Sequence, residues 1–245
     1  MNVRVFAPRN TVGAGCVLFI LIAGFQTLSS LADEAAGDAE TTFAPGDVHL
    51  KNSRVYIHVG KTGLGHDHAV VGLLKSGTLL LGASENAGQM EFDLTSFRAD
   101  SDGARKYIGL QGSSDAGTRQ QVDANMLGAA VLNVARFPTA TFVIASAAPV
   151  KKASQRGLPQ YQLTGNFTLH GVTRQIQFLA DSESKDGWVH LRGSFSILQS
   201  QFGIQPFTKA FGAIGVADRL SIWGDLWIAE QAKATVEGAG SAPRR

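Results

Sequence analysis

The chain has 245 residues, with 22 Lys plus Arg against 20 Asp plus Glu, and two of those cations, Arg4 and Arg9, fall in an N-terminal segment whose removal leaves the charges equal. So even a balance excludes any general electrostatic pull toward nucleic acid or an anionic membrane. Charged residues make up 17% of the chain, below the roughly 25% of ordinary soluble domains, and with 28 glycines this points to many strands and turns.

The first 32 residues read as a secretory signal peptide. Arg4 and Arg9 precede the apolar run "TVGAGCVLFILIAGF" (11 to 25), and Ser30 and Ala32 supply small residues before a cut at Asp33. An apolar core of about 14 residues is short of the roughly 20 that a spanning helix needs. The expected location is therefore the periplasm, with anchoring to the inner membrane by an uncleaved signal as the alternative. Cys16 is the chain's one cysteine and leaves with the signal. The remainder has no disulfide, thiol nucleophile or thiolate ligand. Residues 33–47, "DEAAGDAETTFAPGD", read as a flexible leader, 48–229 as one folded domain and 230–245 as a disordered tail.

Within the domain, period-two alternation dominates. "RVYIHV" puts Val55, Ile57 and Val59 on one face, with Tyr56 and His58 opposite. "GLGHDHAV" (63 to 70) follows, with His66 and His68 one residue apart and a second strand expected over 66–73. "SGTLLLG" (76 to 82) and "QMEFDL" (89 to 94) are the next strands. The stretch "RQQVDANMLGAAVLNV" (119 to 134) is spaced as a helix, although the internal Gly128 opposes it. "TATFVIAS" (139 to 146), "YQLTGNFTLHG" (161 to 171), "RQIQFLAD" (174 to 181), "VHLRGSFSI" (189 to 197) and "RLSIWGDLWI" (219 to 228) complete the series. About eight antiparallel strands with one apolar face can hide it in a sandwich or by closing into a barrel, and periodicity does not choose.

On a strand, His66 and His68 would share a face about 6 to 7 Å apart, with Asp67 opposite. If the glycine-rich loop folds one strand back on the other, His58 comes beside them. That set would suit zinc, copper or nickel with a position left for water. A metal-binding protein or metal-dependent hydrolase is thus one reading. The other is that Gly63 and Gly65 turn the chain and both histidines stand at a solvated strand end. His170 is expected at a tight turn that Gly171 permits, and His190 facing outward. No nucleophile elbow, phosphate loop, dinucleotide fingerprint or H-E-x-x-H pattern occurs. Trp188, Trp223 and Trp227 lack the basic stripe of a nucleic-acid platform.

"YQLTGNFTLHGVTRQIQF" (161 to 178) closely resembles a signature of the YceI-like family of exported polyisoprenoid-binding proteins. Four further segments resemble that family in its own order: "SRVYIHV", "QMEFDLTSFRAD", "VLNVARFPTATF" (131 to 142) and "SQFGIQPF" (200 to 207). The resemblance implies an all-β, lipocalin-like antiparallel barrel of eight strands with a helix packed beside it. It implies a non-enzymatic carrier whose lumen holds the tail of a polyisoprenoid, such as a polyprenyl diphosphate or a quinone. Phe92, Phe142, Phe167, Leu169, Phe178, Phe195 and Ile197 are the candidate lining, and they could equally pack a self-filled core. Membrane contact would come only through lipid exchange or an uncleaved signal, and a homodimer is compatible. Two departures bear on the headgroup: "RQQVDANML" lacks the histidine usual before the family's helix, and Gln201 stands where an acid is usual.

Overall fold

Alternating side chains can be buried on one face only if the sheet curls around them, and here the curl is complete. The computed structural model describes residues 42–230; the signal segment with Cys16, leader residues 33–41 and the tail from 231 lie outside that range. The strands are β1 (Arg54–Gly63), β2 (His68–Leu79), β3 (Gly88–Ala99), β4 (Thr139–Val150), β5 (Gln160–Leu169), β6 (Val172–Lys185), β7 (Trp188–Leu198), β8 (Thr208–Lys209) and β9 (Ile214–Ala229). Eight of them follow one another around the wall as β1-β2-β3-β4-β5-β6-β7-β9, and β9 pairs back onto β1. All pairings are antiparallel, and β8 adds two residues beside the start of β9. Closure removes the exposed edges that an open sheet would have to protect. The inward set includes Val55, Val70, Leu94, Phe142, Leu163, Phe167, Leu191, Ile222 and Leu226, all buried.

The chain from 66 to 82, expected as two strands, runs as one long strand, β2, with Gly72 and Gly77 inside it. Neither glycine turns the chain. A Cβ on Gly72 would stand 2.1 Å from the Phe97 ring, and one on Gly77 would stand 2.9 Å from Val48. Both make room for a neighbour's side chain, the usual role of a glycine inside a strand.

Two helices occur where one was expected. Helix α1 (Asp102–Ile108) starts on the Ser101 side chain, which accepts from the Ala104 N–H, and ends on Gly109 at φ 86°. It lies against the outside of the barrel, where Tyr107 stacks on Tyr56 with ring centroids 3.7 Å apart. Helix α2 (Ala116–Leu127) starts on Asp115 and stops at Gly128, whose backbone is extended. The helical spacing expected through residue 134 therefore ends seven residues early, and residues 128–137 form turns. Helix α2 packs beside β3 as expected of a helix flanking the barrel, and it also reaches over the end, where Val122, Asn125 and Met126 border the lumen.

The opposite end is closed by a strap that begins inside the expected leader. The Gly46 N–H donates to Ala229 O at 3.0 Å, the Val48 N–H to Gly77 O at 3.0 Å and the His49 N–H to Trp227 O at 2.7 Å. Val48 is 4% exposed. Phe43 packs its ring 5.2 Å from His49 and 4.8 Å from Trp188. Residues 42–47 thus belong to the fold. Among the described residues, no helix is long and apolar enough to cross a membrane.

Candidate functional site

Inside the barrel lies a cavity of about 200 Å³, many times the roughly 10–15 Å³ that one water requires. All seven residues expected to line a lumen border it: Phe92, Phe142, Phe167, Leu169, Phe178, Phe195 and Ile197. They divide into walls. Phe142, Phe167, Phe178 and Phe195 come from four consecutive strands, β4 to β7, and touch in sequence, with Phe142–Phe178 at 5.8 Å, Phe178–Phe195 at 5.0 Å and Phe167–Phe195 at 5.9 Å. Gly193 lets the Phe178 ring lie across its strand, since a Cβ there would meet that ring at 2.9 Å. Continuing around the wall from β7, where Ile222 pairs with Phe195, β9 and then β1 present Leu220, Ile222, Val55, Ile57 and Val59. The aromatic residues therefore pack against one another along one side and leave the bore open.

Three polar side chains border the cavity, and all stand at the end covered by α2: His68, Asn125 and Gln199. Gln199 donates through Nε2 to Ala217 O at 2.8 Å, and no bond to its Oε1 occurs among the described residues. His68 is the most elaborately held. Its Nδ1 donates to Asp100 Oδ2 at 2.6 Å. Asp100 also accepts from the Ala69 N–H at 3.0 Å and from Arg105 Nη1 at 2.9 Å. Arg105 in turn clasps the loop after α1 through Gly112 O and Gln111 O. Burial alone would push the Asp100 carboxyl up, but the bonds from His68, Ala69 and Arg105 outweigh it and hold the group below its usual range. An ionised carboxylate only accepts, so His68 carries its proton on Nδ1, which leaves Nε2 an acceptor when the ring is neutral, on a side chain that borders the lumen. A fixed tautomer beside an apolar bore is suited to hold a ligand's polar end.

The histidine trio expected as a metal alternative does not form. Register pairs Val59 with His68 and His58 with Ala69, so His58 points outward and His68 inward. His66 and Asp67 precede β2 instead of lying on it. Asp67 swings to the outer face, where it accepts from His58 Nε2 at 3.2 Å. The Lys61 N–H and His58 together hold the Asp67 carboxyl below its usual range. His66 is exposed, its ring 5.0 Å from that of His68. No group of three His, Cys, Asp or Glu able to hold a metal occurs among the described residues.

His170 and Gly171 form the two-residue turn between β5 and β6 at φ 52° and 76°, the positive-φ pair of a type I′ hairpin. The His170 ring packs 4.4 Å from Phe137, and its buried Nε2 bonds to no described residue, not to the backbone. His190 faces outward as expected, bonded to Asp225 at 2.6 Å and stacked 4.3 Å from Trp227. The expectations for the lumen omitted Asp100, Arg105, Asn125 and Gln199. "ADSDGAR" advertises the Ser101 helix cap, but nothing in it marks Asp100 as the partner of a histidine 32 positions away.

A closed antiparallel barrel of eight strands, with an apolar bore and a polar rim at one end, is a lipocalin-like binding barrel in architecture. The YceI-like domain matches residues 47–226, and the chain belongs to that family. A UPF0312 protein of Azotobacter vinelandii is 31% identical over 124 residues, 48% of this chain, and the match spans 59% of that relative's length. Among solved structures, a polyisoprenoid binding domain from Saccharophagus degradans implicated in plant cell wall breakdown shares the fold. It superposes with a TM-score of 0.52 at 10% identity, over 77% of this chain and 100% of that one. BcnA of Burkholderia cenocepacia aligns over 74% of this chain and 99% of its own, with a TM-score of 0.49 and 18% identity.

Proposed function

We propose that this chain is an exported, non-enzymatic lipid-binding protein of the periplasm that holds the tail of a polyisoprenoid or related amphiphile in the barrel lumen. The observation that carries this reading is the cavity of about 200 Å³ whose polar lining is confined to His68, Asn125 and Gln199 at one end. An amphiphile has the same asymmetry. Its tail would lie along Phe92, Phe142, Phe167, Leu169, Phe178, Phe195 and Ile197, and its polar end would meet His68 Nε2. Burial is worth about 0.8 kcal/mol per CH₂, so a tail of several isoprene repeats repays the entropy of immobilising it. Family membership and the ligand class of the Saccharophagus domain support the same choice.

Native mass spectrometry on protein from its own cell envelope tests the reading. The expected result is an adduct in the isoprenoid-lipid range that partitions into organic solvent on denaturation. A bare polypeptide mass, with no uptake of an added polyprenol or quinone, would sink it.

A further inference from the structure

A second feature stands just outside the lumen mouth. Strands β1 and β9 continue past the wall, pairing Lys61 with Val216, Thr62 with Gly215 and Gly63 with Ile214. The Leu64 N–H then donates to Ala213 O at 2.9 Å, joining the two loop tips. The approach is close because the backbone there is bare: a Cβ on Gly63 would stand 2.2 Å from Ala213 O, and one on Gly65 would stand 2.9 Å from Gly215 O.

This fixed projection carries apolar side chains into water. Leu64 is 85% exposed, Ile214 is 42% exposed and Phe211 is wholly exposed. Phe211 also follows Ala210 in the left-handed region, at φ 54° and 50°. Two successive side-chain-bearing residues in that region are strained, and burying nothing offsets the cost. Strain that presents an apolar ring to solvent marks a contact made with something else.

We propose that this tip docks the barrel on an anionic phospholipid surface, so that a lipid tail passes between bilayer and lumen without crossing water. Leu64, Phe211 and Ile214 enter the headgroup–acyl boundary, and Lys61 and Lys209 meet the headgroups. Both lysines are exposed, and neither is in an ion pair within 4 Å among the described residues. The Asp67 carboxylate, which accepts from the Lys61 N–H at 2.9 Å, offsets part of the Lys61 charge. Tip and bore are continuous. Lys209 Nζ lies 5.5 Å over the Phe207 ring, and Phe207 and Val216 both line the cavity. Only two residues, about 7 Å of strand, separate the Lys61–Val216 pair from the tip. The chain's balanced overall charge gives no general attraction, so binding rests on these local groups. A protein partner is the poorer fit. Three side chains on two adjoining tips make no groove, whereas a stable protein interface buries about 800 Å² per partner. A few apolar groups flanked by lysines are the pattern of interfacial membrane binding.

The inference draws its purpose from the lumen reading, but its test does not require cargo. Chain recovered from the cell envelope, with intact mass confirming loss of the apolar segment over 11–25, is floated with phosphatidylethanolamine–phosphatidylglycerol vesicles and with phosphatidylcholine vesicles. Wild type is expected to float with the anionic vesicles, several-fold less in high salt, and poorly with the neutral ones. Phe211→Gly relieves the backbone strain and is expected to raise or preserve Tm while cutting flotation more than tenfold. The pair Lys61→Gln and Lys209→Gln is expected to remove the salt dependence. Uptake of a detergent-dispersed polyprenol should be unchanged in all variants; absence of that uptake in wild type would count against the lumen reading alone, whereas loss of flotation with uptake intact speaks for the tip. Wild type that ignores anionic vesicles, or Phe211→Gly that floats as well as wild type, overturns the proposal. So does a wild-type dimer that Phe211→Gly dissociates without any flotation by wild type, since the tip would then be a protein contact.

Discussion

Three donors converge on the buried carboxylate of Asp100: His68 Nδ1–H, Arg105 Nη1–H and the Ala69 N–H. Together they hold its pKa below the ordinary carboxylate value. The linkage sign follows. The unfolded chain takes up this proton more readily than the native one, so the contribution to stability is complete above the ordinary carboxylate pKa of about 3.9. It is lost as pH falls through the depressed native value. Asp100→Asn leaves Arg105 charged and half-buried without its counter-ion. Removing one partner of such a pair costs roughly 3–5 kcal/mol. Urea unfolding at neutral pH should show that loss, and the gap between variant and wild type should narrow below about pH 4. The histidine motif itself was legible as a feature but not in its geometry. The alternation in "GLGHDHAV" suggested that His66 and His68 share a face, but the turn consumes His66 and Asp67. Register at a loop is set by turn geometry as much as by pattern, and the decisive partner, Asp100, arrives from the end of another strand.

At the scale of the element, alternation located most of the long wall strands and the inward faces of β1, β3 and β5, but it split β2 in two and set His68 on the wrong face. It could not say what a glycine inside a strand is for. Gly72 serves Phe97, and the test is steric: Gly72→Val must displace a ring standing 2.1 Å from a Cβ. The expected cost is about 1–3 kcal/mol, partly recovered on adding Phe97→Leu, both measured by urea unfolding. Helix α1 escaped notice because seven residues are too few for a 3.6 period to declare itself; only its Ser101 and Gly109 caps were there to be read. Besides the Arg105–Asp100 pair, α1 is tied down by Tyr107, which stacks on Tyr56 near the Asp225 carboxylate. Burial, and then the Asp225 charge and hydrogen bond, push its hydroxyl up to about 12. A raised pKa stabilises below the ordinary tyrosine value and loses that contribution as pH climbs through about 12. Burial and the Asp225 charge raise Tyr56, the stacking partner of Tyr107, as well, so absorbance titration of tyrosinate should show late titration from this pair, with Tyr107→Phe deleting the latest component.

For the whole molecule, the question is whether the bore is a container or a core that happens to be loose. The sequence could name the inward phenylalanines but not choose between these, because the same residues serve both. Two substitutions separate them. Ile57 borders the cavity and is only half-buried, so its side chain faces open space. In a container, Ile57→Phe occupies that space with little effect on Tm, while uptake of a polyprenol or quinone falls more than tenfold, or about 1.4 kcal/mol. In a self-filled core the same change overpacks and costs about 1–3 kcal/mol. Phe195→Ala works from the other side. It removes a ring from the aromatic wall and should cost about 3–5 kcal/mol in the empty protein. Added lipid should restore part of that loss, because a ligand that binds only the folded state stabilises it by mass action and can fill the new space. If Ile57→Phe lowers Tm and lipid leaves Phe195→Ala unmoved, the lumen is packing and the carrier reading fails. If Tm holds while uptake disappears, and lipid raises the Phe195→Ala midpoint, the bore is a binding site and the side chains that border it set its width.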